Sequence, residues 1–343
     1  MMKAKKSSPK KAHSKQAAGQ TGRKSGFLVR IRQSSLALRY VSSLFLVPLI
    51  LLVLLVIFFV IDKQIQHLLV RDSISPEISR FTPGGYPVLQ HAVPVVISAK
   101  SAYIMDLPSH AVLYQKNPTL RFSMASTTKL MTALTALSYY RLSSIVTVRS
   151  PHVEGSVIGL VPGQQFTVES MLYAMFLPSA NDAADTLADN YPGGRQAFVA
   201  KMNENARKYH LMNTHYMDPA GLEDDEDYTT VVDLARLAAI AIQNPIIARI
   251  VETKNHTITD VTGTHVYPLQ NLNKLLGYDG VNGVKTGTTE GAGQVLITSQ
   301  KAGDHTYIVV VMKSQDRFAD TLQLLSALSD SITYIKPELT FLR

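Results

Sequence analysis

Hydrophobic and polar positions follow three different patterns along the chain. Residues 44–61 are eighteen positions without a charge, and Val41 to Ser43 extend the run. It is apolar on every side rather than periodic. About 20 helical residues at about 1.5 Å each cross a hydrocarbon core roughly 30 Å thick, so 41–61 is expected to be a transmembrane signal-anchor helix. Pro48 is its only helix breaker, near the start, where a kink is tolerated. The run is longer than a signal-peptide core, and Ile61-Asp62-Lys63-Gln64 offers no small-residue cleavage site. Residues 62–92 lose all periodicity around Pro76, Pro83, Gly84, Gly85 and Pro87, as a linker does.

From Pro94 onward the pattern tightens. Residues 101–107 and 111–115 read as strands around a Pro108-Ser109-His110 turn. A helical period predicts a helix over 126–140 and others near 168–177, 181–190, 195–209 and 230–243. The spacing is clearest in 195–209, where Phe198, Met202 and Ala206 recur every fourth residue and Tyr209 follows. Three strands follow, over 281–288, 294–300 and 306–313, with turns at 291–293 and at Gly303-Asp304. A last helix is expected over 317–332. Short links between strands favour antiparallel pairing. Strands, then helices, then strands and a helix imply an α+β domain. Its antiparallel sheet is built from both ends of the domain and flanked by a helical subdomain. The expected organisation is a basic tail (1–40), the anchor (41–61), an extracytoplasmic linker (62–92), a catalytic domain (93–335) and a C-terminal tail (336–343). No internal repeat interrupts it.

Charge changes this picture only at the N-terminus. The formal net charge is +8, yet residues 1–40 hold eleven Lys and Arg and no acid. The remainder carries 23 basic and 26 acidic residues. The basic excess therefore belongs to a flank beside an apolar run, which places the N-terminus in the cytoplasm and the rest outside. It does not mark a nucleic-acid surface on the folded body. The absence of cysteine excludes disulfides, thiolate metal sites and cysteine nucleophiles. The ten histidines form no His-Glu-x-x-His cluster, and the acidic run 223–227 lacks the glycine and spacing of a calcium loop. These residues therefore point to neither a zinc nor a calcium site.

Three short segments carry chemistry. Ser126 and Lys129 are three apart on a predicted helix and so share a face. A serine hydroxyl needs a base to take its proton, and a buried lysine near positive charge can be that base. Moving a lysine pKa from about 10.4 to about 7 costs about 4–5 kcal/mol, so the surroundings must be built for it. Alone the pair is weak, because Ser7/Lys10 and Ser8/Lys11 in the tail have the same spacing and Ser126 could simply cap a helix. Ser179-Ala180-Asn181 follows 53 residues later, just before a predicted helix, and is the only Ser-x-Asn in the chain. Lys285-Thr286-Gly287-Thr288 lies 106 residues further on, on a predicted strand, and contains the only Lys-Thr-Gly. A glycine inside a strand often marks close approach of a ligand or another backbone. Ser-x-x-Lys, Ser-x-Asn and Lys-Thr-Gly in this order are the elements of serine β-lactamases and penicillin-binding proteins.

With these residues the chain resembles the low-molecular-mass penicillin-binding proteins, the serine D-alanyl-D-alanine carboxypeptidases (peptidase S11-like, with the serine β-lactamase/DD-peptidase fold). The resemblance runs from about Pro94 to Ile332. It includes Ala125-Ser-Thr-Thr-Lys-Leu-Met-Thr, Ser179-Ala-Asn-Asp-Ala-Ala, Asn213-Thr-His, Pro219-Ala-Gly-Leu and Gly280-Val-Asn-Gly-Val-Lys-Thr-Gly-Thr-Thr. It implies that Ser126 attacks the bond between two terminal D-alanines and that Lys129 takes its proton. Ser179 and Asn181 would line the cleft, and Lys285 would supply positive charge. Thr286 would hold the substrate carboxylate, with Gly287 beside it. The amides of Ser126 and Thr288 would form an oxyanion hole, and Arg317 would assist the carboxylate or lie free on the surface. The resemblance implies no metal or organic cofactor; the implied partners are peptidoglycan stem peptides ending in D-Ala-D-Ala, β-lactam antibiotics as acylating inhibitors, and the lipid bilayer through the N-terminal helix.

Two rivals belong to other classes. A class A β-lactamase needs a further glutamate to speed hydrolysis of the acyl-enzyme, and no Glu-x-x-Leu-Asn lies between Asn181 and Lys285. A catalytically inactive wall-peptide binder would not need every polar member of the three segments, yet all are present.

Overall fold

The computed structural model describes residues 52–58, 85–89, 95–153, 155–223, 226–329 and 331–335. The chain divides into two units, 1–80 and 81–343. In the first, a helix α1 covers 52–58 and is exposed. The rest of the expected anchor, the basic tail, most of the linker and the C-terminal tail lie outside the described residues. Among the described residues, no single helix is long and apolar enough to cross a membrane.

The second unit is built on an antiparallel five-stranded sheet. Its strands are β2 (Ser101–Asp106), β3 (Val112–Lys116), β8 (Val281–Thr289), β9 (Gly293–Ala302) and β10 (His305–Ser314), in the order β3-β2-β10-β9-β8. The sequence predicts these five strands, and their join across the two ends of the domain is the β2–β10 pair, with Val309 opposite Ile104. Alternation along the strands sorts side chains onto two faces. In β10, Ile308, Val310 and Met312 enter one core, while Tyr307, Val309 and Val311 enter the other.

The larger core is covered by α2 (Lys129–Tyr139), preceded by the 3₁₀ turn η1 (Ala125–Thr128), and by α3 (Val168–Phe176), α4 (Asn181–Asp189) and α5 (Gly194–Lys208). α6 (Val231–Gln243) packs on β10 and β2, and α7 (Pro245–Glu252) packs on β8. The expected spacing in α5 holds: Phe198, Met202 and Ala206 are buried. Thr167 and Thr230 cap α3 and α6 by accepting from Ser170 N and Asp233 N, which satisfies one free amide at each start. The second core lies under α8 (Arg317–Ser329).

Several elements differ from the sequence reading. The last helix stops at Ser329, not at 332, and β11 (Ile332–Ile335) follows. It pairs antiparallel with β1 (Tyr86–Leu89), so part of the expected linker is ordered against the domain. α7 escaped notice because Pro245 reads as a breaker. It stands in the first turn, where a missing N–H costs nothing. The small pairs β4 (Ile145–Thr147) with β5 (Gln165–Thr167), and β6 (Asn255–Thr259) with β7 (Val266–Gln270), also show too few residues for a period to register.

Candidate active site

The three segments meet where η1, the start of α4 and β8 converge. η1 carries Ser126 half-exposed, and the next turn buries Lys129 completely. Lys129 Nζ lies 2.9 Å from Ser126 Oγ, 2.8 Å from Asn181 Oδ1 and 2.8 Å from the Ala220 carbonyl oxygen. All three can accept its hydrogens, and a neutral amine could take the hydroxyl proton in return. Burial pushes Lys129 down to about 7, against the opposing pull of Asp218, Asp185 and Asp182.

The Ala220 carbonyl is the partner that sequence reasoning did not name. It sits in a loop folded around Asp218, whose carboxylate accepts from the amides of Ala220, Gly221, Leu222 and Glu223 at 2.6–3.0 Å. Gly221, at φ +81, lies against Ala125, and a Cβ there would fall 2.0 Å from the Ala125 oxygen. A backbone acceptor has no residue signature. Its only trace was Pro219-Ala-Gly-Leu as part of a resemblance.

Ser179 precedes α4 at φ +66, a left-handed conformation uncommon for a serine. There its hydroxyl accepts from Lys285 Nζ at 2.8 Å, and Lys285 also donates to the Thr286 carbonyl at 2.9 Å. Lys285 is buried, and burial holds its amine well below the usual lysine range. The charges of Lys129 and Arg317 act in the same direction. Thr286 is buried and Thr288 is exposed. Gly287 marks a close backbone approach: a Cβ there would lie 3.2 Å from Ser126 N and 3.2 Å from Met124 O. Arg317 opens α8 and is half-buried rather than free on the surface. Its Nη1 donates to the Gly287 carbonyl at 2.7 Å and to Thr288 Oγ1 at 2.5 Å, and its guanidinium lies 5.0 Å above the Phe318 ring.

The structure thus brings Ser126, Lys129, Ser179, Asn181, Lys285 and Gly287 into one cluster, with Thr286, Thr288 and Arg317 along the same strand end. A hydroxyl beside a buried amine, with a second buried amine and the Arg317 guanidinium nearby, can form an acyl-enzyme and hold an anionic substrate end.

The D-alanyl-D-alanine carboxypeptidase (peptidase S11) family model matches residues 88–316. The chain belongs to this carboxypeptidase family. Its similarity extends to D-alanyl-D-alanine carboxypeptidase DacF of Bacillus subtilis (strain 168), 36% identical over 62% of this chain and 57% of that one. The chain therefore spans less than two thirds of that relative's length. A D-alanyl-D-alanine endopeptidase of Escherichia coli (strain K12) is 31% identical, covering 66% of this chain and 76% of its own. The solved DD-transpeptidase of Streptomyces K15 superposes with a TM-score of 0.66 at 32% identity, over 70% of this chain and all of that one. The family's α+β DD-transpeptidase fold is thus the fold of the second unit.

Proposed function

We propose that this chain is a serine D-alanyl-D-alanine carboxypeptidase that removes the terminal D-alanine from peptidoglycan stem peptides and is acylated by β-lactams. The observation that carries the reading is Lys129 Nζ held 2.9 Å from Ser126 Oγ in a site where burial brings that amine to about 7. Neutral Lys129 takes the Ser126 proton as Oγ adds to the carbonyl carbon between the two D-alanines. The amides of Ser126 and Thr288 receive the oxyanion. Collapse expels D-alanine, which takes a proton relayed through Lys129 and Ser179, and leaves an ester on Ser126. Water then cleaves the ester and returns the hydroxyl. Asn181 holds Lys129 and the peptide. Lys285 keeps positive charge at the cleft, while Thr286, Gly287, Thr288 and Arg317 frame the position of the substrate carboxylate.

Cell-wall peptidases of this type act outside the cytoplasm. The N-terminal run 41–61 is proposed as the anchor, with 1–40 inside and 93–335 outside; the charge-free run and the basic flank support this.

The test is mass spectrometry of a stem pentapeptide incubated with the full chain in detergent. Loss of one alanine is expected, together with labelling by fluorescent penicillin, and Ser126→Ala should abolish both. Unchanged turnover in Ser126→Ala would mean another nucleophile. The endopeptidase named among the relatives supplies a second arm: cleavage of a cross-linked dimer without release of D-alanine would move the assignment there.

A further inference from the structure

We propose that Asp182 is a positioning residue for acylation: its buried carboxylate clamps the loop 155–160 onto the start of α4, and the clamped loop fixes Asn181, which in turn holds Lys129. The proposal deepens the serine-acylation reading and rests on it.

Residues 155–160 have no regular structure, and Gly155, Ser156 and Gly159 are exposed. A segment of this kind stays ordered only if specific bonds offset its conformational entropy. Asp182 provides them. Its Oδ2 accepts from the amides of Ile158, Gly159 and Leu160 at 3.1, 3.0 and 3.0 Å, and Oδ1 accepts from Ala183 N at 3.1 Å. Gly159 adopts φ +81 to turn its amide inward. The carboxylate is fully buried in the first turn of α4, where the helix dipole favours a negative charge. The same loop then grips the catalytic residue next door. Asn181 N donates to the Ser156 carbonyl at 2.7 Å, and Gly155 lies so close that a Cβ would come within 3.0 Å of Asn181 Nδ2. One turn further along α4, Asp185 accepts from His152 N at 3.0 Å and pairs with Arg195 Nη1 at 3.2 Å, tying His152 to the same helix.

Asp182 also acts on Lys129 through space. Burial lowers the lysine, and Asp218, Asp185 and Asp182 all favour its charged form. The charge of Lys129 in turn helps to lower the Lys285 amine. Burial likewise raises the Asp182 carboxyl, and its four amide donors oppose this. Clamp and charge can therefore be separated. Asp182→Asn removes one negative charge and leaves an amide whose oxygen can meet only one of the two donor sets. Gly159→Ala keeps the charge and places a methyl where nothing lies within 4 Å, but it strains the turn that aims the amides.

The experiment is the pH dependence of acylation by a fluorescent penicillin, with thermal melts of each full-length protein. Asp182→Asn should lower the plateau rate roughly tenfold to a hundredfold, the cost of a small misplacement in a catalytic site. It should also move the acid limb to lower pH. Gly159→Ala should lower the plateau with the limb unmoved. A wild-type plateau in a folded Asp182→Asn would overturn the proposal, as would an unmoved limb. Should Asp182→Asn not fold, Gly159→Ala decides alone, and an unchanged plateau there overturns the clamp. Wild-type protein that takes up no penicillin defeats the acylation reading instead.

Discussion

At the scale of the residue, two buried lysines do different work. Lys129 touches Ser126, whereas Lys285 touches Ser179. With Lys129 near 7, its neutral, proton-accepting form is scarce in acid and dominant in base. Acylation should climb about tenfold per pH unit below 7 and flatten above it; stopped-flow acylation from pH 5 to 9 checks the sign. Replacing the amine in Lys129→Ala should slow acylation by about 10³-fold or more with the fold intact. The sequence pointed to Ser126, Lys129, Ser179, Asn181 and Lys285 through three segments in a fixed order, since the Ser/Lys spacing alone recurs in the tail. Ala220 and Asp182 fell within segments of the resemblance, but no pattern gave the Ala220 carbonyl or the Asp182 clamp a role. Their contributions are backbone atoms and buried charge, which depend on how distant loops turn.

At the scale of the element, β8 works because Gly287 lets it lie against η1. A Cβ at 287 would press on Ala125 Cβ at 3.1 Å and on the backbone beside Ser126, and backbone cannot yield as a flexible side chain can. Gly287→Ala should therefore displace the strand, cost about 1–3 kcal/mol of stability and slow penicillin acylation about a hundredfold. Melting and acylation rates measured together check both effects. The three C-terminal strands were readable because each carries a long buried run between glycine turns. α7 was not, because its proline serves the opposite purpose from the one usually inferred. The small hairpins are too short to show alternation, and β11 follows α8 so closely that the sequence reading runs the helix on to its first residue.

At the scale of the whole molecule, Asp320 ties the beginning of the domain to its end. Its buried carboxylate accepts from Ser98 N, Ser98 Oγ and Ala99 N at 2.8 Å each, and from Ser314 Oγ at 2.5 Å. Asp320→Ala would leave these donors without their acceptor. It should destabilise by roughly 3 kcal/mol, lowering the melting temperature about 6–12 °C for a domain of this size while acylation at 25 °C persists. The α+β class was legible from the order of strands and helices, but the docking of β1 was not, since proline and glycine there look like tether. Proteinase added to intact cells should digest the region beyond residue 62, and complete protection would reverse the proposed topology.

The pairing of β1 with β11 sets Tyr86 directly across from Ile335. The polypeptide thus enters and departs by a single doorway, and a mooring line spliced to either end would pull from the same spot. A circular permutant that joins these ends with a short bridge and opens a surface turn elsewhere should keep every catalytic strand in place.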